Sequence, residues 1–138
     1  MFRPRAPTIA APMPPTDALH FDLECRVHRR VTSDHPAEII GTYPAGVGDW
    51  RYSLRYTFDL QTRRVCDASL CARYGPFPIV RLTPDLIVLD DRDGVTQQIR
   101  RRDGRYEQRM EGSDQLSVTR GRCVRASYSG FPPREAVQ

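Results

Sequence analysis

The chain has 138 residues, enough for one domain with a real core and too few for two. Hydrophobic residues make up 39% and mean hydropathy is −0.56, so the core is thin, and no run nears the roughly 18 apolar residues that cross a bilayer. All 21 basic residues are arginine and the net charge is only +4, with acids mixed among them, which argues against a nucleic-acid protein with one basic stripe. Lysine and asparagine are both absent, as expected of GC-rich coding, so the arginine content is not by itself functional.

Residues 1–18, "MFRPRAPTIAAPMPPTDA", carry five prolines and no amphipathic period. Such a stretch cannot donate a regular ladder of hydrogen bonds, and it reads as a disordered leader. It lacks the continuous apolar stretch of a signal peptide, although "TIAAP" preceded by more apolar sequence would resemble the end of one.

From residue 19 the chain alternates. Leu19, Phe21, Leu23, Cys25 and Val27 point one way; His20, Asp22, Glu24 and Arg26 point the other, as in a half-buried strand. "WRYSLRYTFDL" repeats the pattern, with Trp50, Tyr52, Leu54, Tyr56, Phe58 and Leu60 on one face. Between these strands, "RRVTSDHPAE" predicts a loop holding His35, "IIGTY" a short strand, and "PAGVGD" a turn-rich link. Next come the cysteine turn "VCDASLC", the apolar runs "FPIVRL" and "DLIVLDD", and turn signals at Asp93-Gly94, Asp103-Gly104, Gly112-Ser113-Asp114 and Gly121. The segments between them, "VTQQIRRR", "RYEQRM", "QLSVT" and "RCVRASY", are of strand length. No segment of ten residues shows a helical stripe, leaving room only for a short helix near Cys66–Cys71 or at the C-terminus. The expectation is an all-β domain over 19–133, an antiparallel meander of seven to nine short strands forming a small barrel or sandwich, with a disordered tail at 134–138.

Four cysteines admit three pairings. Zinc needs two close ligand pairs, but Cys25 and Cys123 are isolated and His28 points away from Cys25 across its strand. A redox dithiol has two residues between its cysteines ahead of a helix, whereas Cys66 and Cys71 have four and lie between strands. Disulfides fit better. Cys25 in the first strand and Cys123 in the last become neighbours if the meander closes, and Cys66–Cys71 staples a turn. Lasting disulfides imply an oxidising compartment, so the expected location is periplasmic or extracellular.

"FDLEC", "VCDASLC", "GRC" and "YSGFPP" together resemble small exported alphaproteobacterial proteins of unknown function. Those proteins have an F-x-L-x-C strand, a middle cysteine pair and a late cysteine followed by Gly-Phe-Pro. The likeness covers about residues 19–133, implies export and a β fold, and brings no catalytic residues.

Chemistry-bearing residues are few. His20, Glu24 and His28 share a strand face, but residues four apart on a strand are separated by about 13 Å, too far to chelate one metal together. "DDRDG" (Asp90, Asp91, Asp93, Gly94) has the acids of a calcium loop without its distal glutamate or helices, and a hairpin explains it. There is neither a phosphate-binding glycine loop nor a nucleophile elbow. No metal, cofactor or catalytic constellation is therefore expected. The densest basic stretch, "IRRRDGRYEQR", offers Arg100, Arg102 and Arg105 as a possible anion-binding set, set against a plain solvated hairpin balanced by Asp103, Glu107 and Glu111. Phe131 of "SGFPP" is expected to plug one end of the barrel, and Trp50 to sit in the core or at its rim. The sequence thus reads as a non-enzymatic exported binding protein for a partner protein or small ligand. The alternative is a nucleic-acid or phosphate-binding barrel using the Arg100–Arg109 hairpin.

Overall fold

A computed structural model describes residues 19–33, 47–112 and 115–135. The leader, the His35 half of the expected 29–38 loop, the "IIGTY" strand and the last three residues lie outside them; residues 29–33 of that loop instead extend the first strand, and residues 47–49 of the "PAGVGD" link open the second. The described residues form one all-β sheet of nine strands: β1 (His20–Ser33), β2 (Val47–Asp59), β3 (Arg64–Asp67), β4 (Phe77–Pro78), β5 (Arg81–Leu82), β6 (Leu86–Arg92), β7 (Val95–Arg100), β8 (Arg105–Glu111) and β9 (Gln115–Ala126). One helical turn, α1 (Cys71–Tyr74), follows the cysteine turn.

Every neighbouring pair is antiparallel, in the order β4-β3-β2-β1-β9-β8-β7-β6-β5. First and last strands therefore meet in the middle, and the sheet curls into a half-barrel. Counting reversals from β1, its edges β4 and β5 run in the same direction, with two residues between them. Phe77–Leu82 is thus one extended segment that pairs with β3 by its first half and β6 by its second. Ile79 N donates to Arg63 O and Val80 N to Val88 O, so the handover leaves both amides bonded. In this way "FPIVRL", a single apolar run in the sequence, bridges the two edges.

The expected alternation fills the interior. Phe21, Leu23, Cys25 and Val27 of β1 pack with Tyr56, Phe58, Val65, Ile87, Leu89 and Ile99. Gln97 Nε2 donates to Tyr56 Oη (3.0 Å) and Tyr106 Oη (2.7 Å), so the two large buried phenols enter the core with partners. Burial raises the pKa of both hydroxyls and keeps them neutral. Trp50 lies at the rim, 40% exposed.

Several sequence expectations change. Strands β1, β2 and β9 have 14, 13 and 12 residues and are not short. Gly121 does not end a strand; "QLSVT" and "RCVRASY" are one strand running through it. A Cβ there would collide with the Arg26 carbonyl oxygen and the Val27 backbone, so glycine is needed for the close approach of β1 to β9. Asp22, predicted on a solvated face, is fully buried. Phe131 does not plug the barrel: it lies half-buried outside the core cluster, with the Arg64 guanidinium 5.9 Å from its ring centre.

The last two changes share a cause. After β9 the chain turns back over the outer face of β1 and β2. Ser129 donates from N (3.2 Å) and Oγ (2.7 Å) to the Asp22 carboxylate, which also accepts from Arg55 Nε (3.2 Å) and Nη2 (2.7 Å). Farther on, Arg134 Nη2 reaches Arg73 O (3.0 Å) and Glu135 N reaches Ala72 O (2.7 Å). Arg134 and Glu135, expected in a disordered tail, are thereby tied to α1. The segment is a clasp from β1 to the cysteine turn.

Candidate anion-binding groove

The structure bonds Cys25 to Cys123 and Cys66 to Cys71. Cys25 and Cys123 face each other in register across β1 and β9, on the interior side. Side chains alternate faces along a strand, so the next pair, Arg26 and Arg122, faces outward.

That outward pair begins a row. Arg26 is opposite Ser53 of β2 on one side and Arg122 of β9 on the other, and Arg122 is opposite Arg105 of β8. Two residues along, a second row runs Arg51, His28, Arg120, Glu107, Gln98 across five strands. Both rows line a groove of about 1200 Å³. Its ionisable walls hold six arginines (Arg26, Arg51, Arg100, Arg105, Arg120 and Arg122), with Glu107 the acid among the lining residues.

Two of the six are neutralised. Arg120 Nε pairs with Glu107 Oε2 at 3.0 Å, and Arg100 Nε with Asp103 Oδ1 at 3.0 Å. The bound Arg100 guanidinium holds the Asp103 carboxyl well below the usual carboxylate range, and the charge of Arg122 adds to the effect. Arg26, Arg51, Arg105 and Arg122 make no ion pair among the described residues. Like charges directly opposite on adjacent strands are destabilising, so Arg26–Arg122–Arg105 is a row that folding alone does not favour.

The sequence-predicted set divides. Arg100 and Arg105 line the groove; Arg102 is exposed in the β7–β8 turn and does not. Arg101, between them, is buried and donates from Nη1 to Thr83 O at 3.0 Å, which ties down the loop before β6. Sequence reading missed Arg26, Arg51, Arg120 and Arg122. Their alternation with apolar positions was visible, but the register that collects them joins strands about 100 residues apart.

The other candidates are occupied or apart. His20 Nε2 lies 3.3 Å from Asp59 Oδ1, Glu24 pairs with Arg55 Nη1, and His28 sits half-buried in the groove. Asp90 binds Arg92 through two hydrogen bonds of 2.8 Å, and Asp91 lies 3.6 Å from Arg81. Among the described residues no group of three or more His, Cys, Asp or Glu is placed to hold a metal ion, and no helix is long and apolar enough to cross a membrane.

Fold and groove define a disulfide-stapled β half-barrel with a cationic outer face, and its two disulfides mark it as a non-cytoplasmic protein. No protein-family model, curated protein or solved structure matches the chain.

Proposed function

We propose that this is a binding protein of the periplasm or the extracellular space that holds an anionic ligand in the arginine groove without transforming it. One observation carries the reading: three arginines stand in register on adjacent strands, with no ion pair among the described residues and with like charges opposite each other, around an open groove. An anion turns that repulsion into attraction, and guanidinium forks match carboxylate, sulfate or phosphate oxygens two at a time. Guanidinium groups keep their protons at physiological pH, so these walls suit holding an anion better than moving a proton. The likeness of "FDLEC", "VCDASLC" and "YSGFPP" to exported proteins supports the location.

The Arg100–Arg109 hairpin alone supports less. Arg100 is bound to Asp103, Arg101 is buried and Arg102 does not line the groove. Single-stranded nucleic acid also needs exposed rings for stacking, whereas Tyr106 in the groove wall is buried and Tyr52 half-buried.

Salt elution from a sulfated-polysaccharide resin tests the proposal. The triple variant Arg26→Gln, Arg105→Gln, Arg122→Gln is expected to elute well before a charge-matched control with Gln at Arg81, Arg92 and Arg102. Co-elution of the two would show that net charge, and not the groove, binds the resin.

A further inference from the structure

The groove's charges form a track across the strands. Five neighbouring strands each supply at least one arginine to its lining: Arg51 from β2, Arg26 from β1, Arg122 from β9, Arg105 from β8 and Arg100 from β7. Adjacent strands are about 4.8 Å apart, so Arg26, Arg122 and Arg105 repeat at about that interval, while Arg51 stands one row over, two residues along β2 from Ser53; the five strands together span roughly 19 Å. Neutral hydrogen-bonding groups flank the charges, Ser53 at one end and Gln98 at the other.

Three kinds of linear polyanion can be weighed against this. An acidic polypeptide in extended form presents side chains on one side every second residue, about 6.6 Å apart, wider than the track. A single-stranded nucleic acid needs stacking rings that this wall does not expose. A charged polysaccharide advances by about one strand spacing per hexose unit and carries hydroxyls beside its charges, which Ser53 and Gln98 can meet at the two ends of the track. It is also a polymer of the compartment that disulfides imply.

We infer that the groove binds an anionic polysaccharide laid across the strands, about one charged unit to each of Arg51, Arg26, Arg122 and Arg105, since Arg100 is already bound to Asp103. The inference rests on the reading that the groove holds an anion, and names its class. Carboxylated and sulfated chains share the chemistry, so both serve as probes.

The test is calorimetric titration of the wild-type protein at physiological salt. The probes are oligogalacturonates of defined length, dextran sulfate, neutral dextran, a single-stranded DNA oligonucleotide and polyglutamate. Both charged glycans are expected to bind and neutral dextran not to. Affinity for oligogalacturonates should rise with length and level off near four units, the number of track arginines not already bound to an acid among the described residues. Arg51→Gln, at one end and with no ion pair among the described residues, should weaken the longest oligomers several-fold and dimers, which can sit on the other arginines, far less. DNA or polyglutamate binding as tightly as the glycans through the same arginines would overturn the polysaccharide assignment and leave the anion-binding proposal standing. Equal loss for dimers and long oligomers in Arg51→Gln would overturn the track. Binding of no polyanion at all would remove both readings.

Discussion

Along the seam between β1 and β9, successive residue pairs do opposite things. Cys25–Cys123 is buried and covalently bonded; Arg26–Arg122, one step on, is exposed and sets like charges opposite each other. The interior face of these strands is built for stability, with aromatic packing, hydrogen-bonded phenols and a disulfide. The outer face accumulates like charge. Carrying such a row over a thin core requires the strands to be held from behind, and the bond that holds them lies under the row. The seam is where stability and the proposed function meet, on alternating residues of the same two strands.

Removing the bond breaks this comparison most severely. Cys25 and Cys123 are 98 residues apart, a loop whose closure stabilises by about 4–5 kcal/mol on the chain-entropy model, against about 2 kcal/mol for the loop between Cys66 and Cys71. Urea melts of Cys25→Ser/Cys123→Ser and Cys66→Ser/Cys71→Ser should show that order. Equal losses would mean that the seam bond is no more than a local staple.

Much of this seam was legible in the sequence. The period-two runs of β1 and β2 announce one apolar face each, and the Asp-Gly pairs at 93–94 and 103–104 sit in the hairpins that they predict, with both glycines at positive φ. What stayed hidden depends on contacts between distant segments. Gly121 looks like a turn residue until β1 is laid against it. Asp22 looks solvated because the clasp that covers it comes from residue 129, and local alternation cannot register a third layer. The arginine row is hidden for the same reason: each arginine is an ordinary outward residue of its own strand, and only the pairing of β1 with β9 and β8 makes them neighbours.

The clasp gives a smaller effect, on the outer face itself. Burial pushes the Asp22 carboxyl pKa up, but hydrogen bonds from Ser129, Arg55 and Thr57 outweigh it and leave it below its ordinary 3.8. A depressed folded pKa means that the unfolded chain takes up the proton first. The stability from Asp22 is therefore complete above the ordinary carboxylate pKa and is lost as pH falls through the lower folded value. Asp22→Asn should cost about 2 kcal/mol at neutral pH, the scale of hydrogen bonds to a charged group, and speed amide exchange over residues 127–135. It should also flatten the decline of stability below about pH 4, where Asp59 and Asp103 keep titrating in both proteins. An unchanged acid limb would show that the carboxylate is not what secures the clasp.

The smallest effect has the opposite sign. Arg122 stands between Arg26 and Arg105 with no ion pair among the described residues, so Arg122→Gln removes two facing repulsions against one lesser attraction, to Asp103, and leaves the packing behind them in place. Stability in low-salt urea melts should rise by about 0.2–1 kcal/mol, and the gain should shrink as salt screens the wild-type row. Anion binding should weaken in the same variant, since the residue removed is the centre of the row. A gain in stability joined to a loss in binding is the signature of a side chain retained for its ligand at the expense of the fold. If Arg122→Gln is less stable at every salt concentration, the row is held by the fold, and the repulsion that motivates the binding proposal is not there.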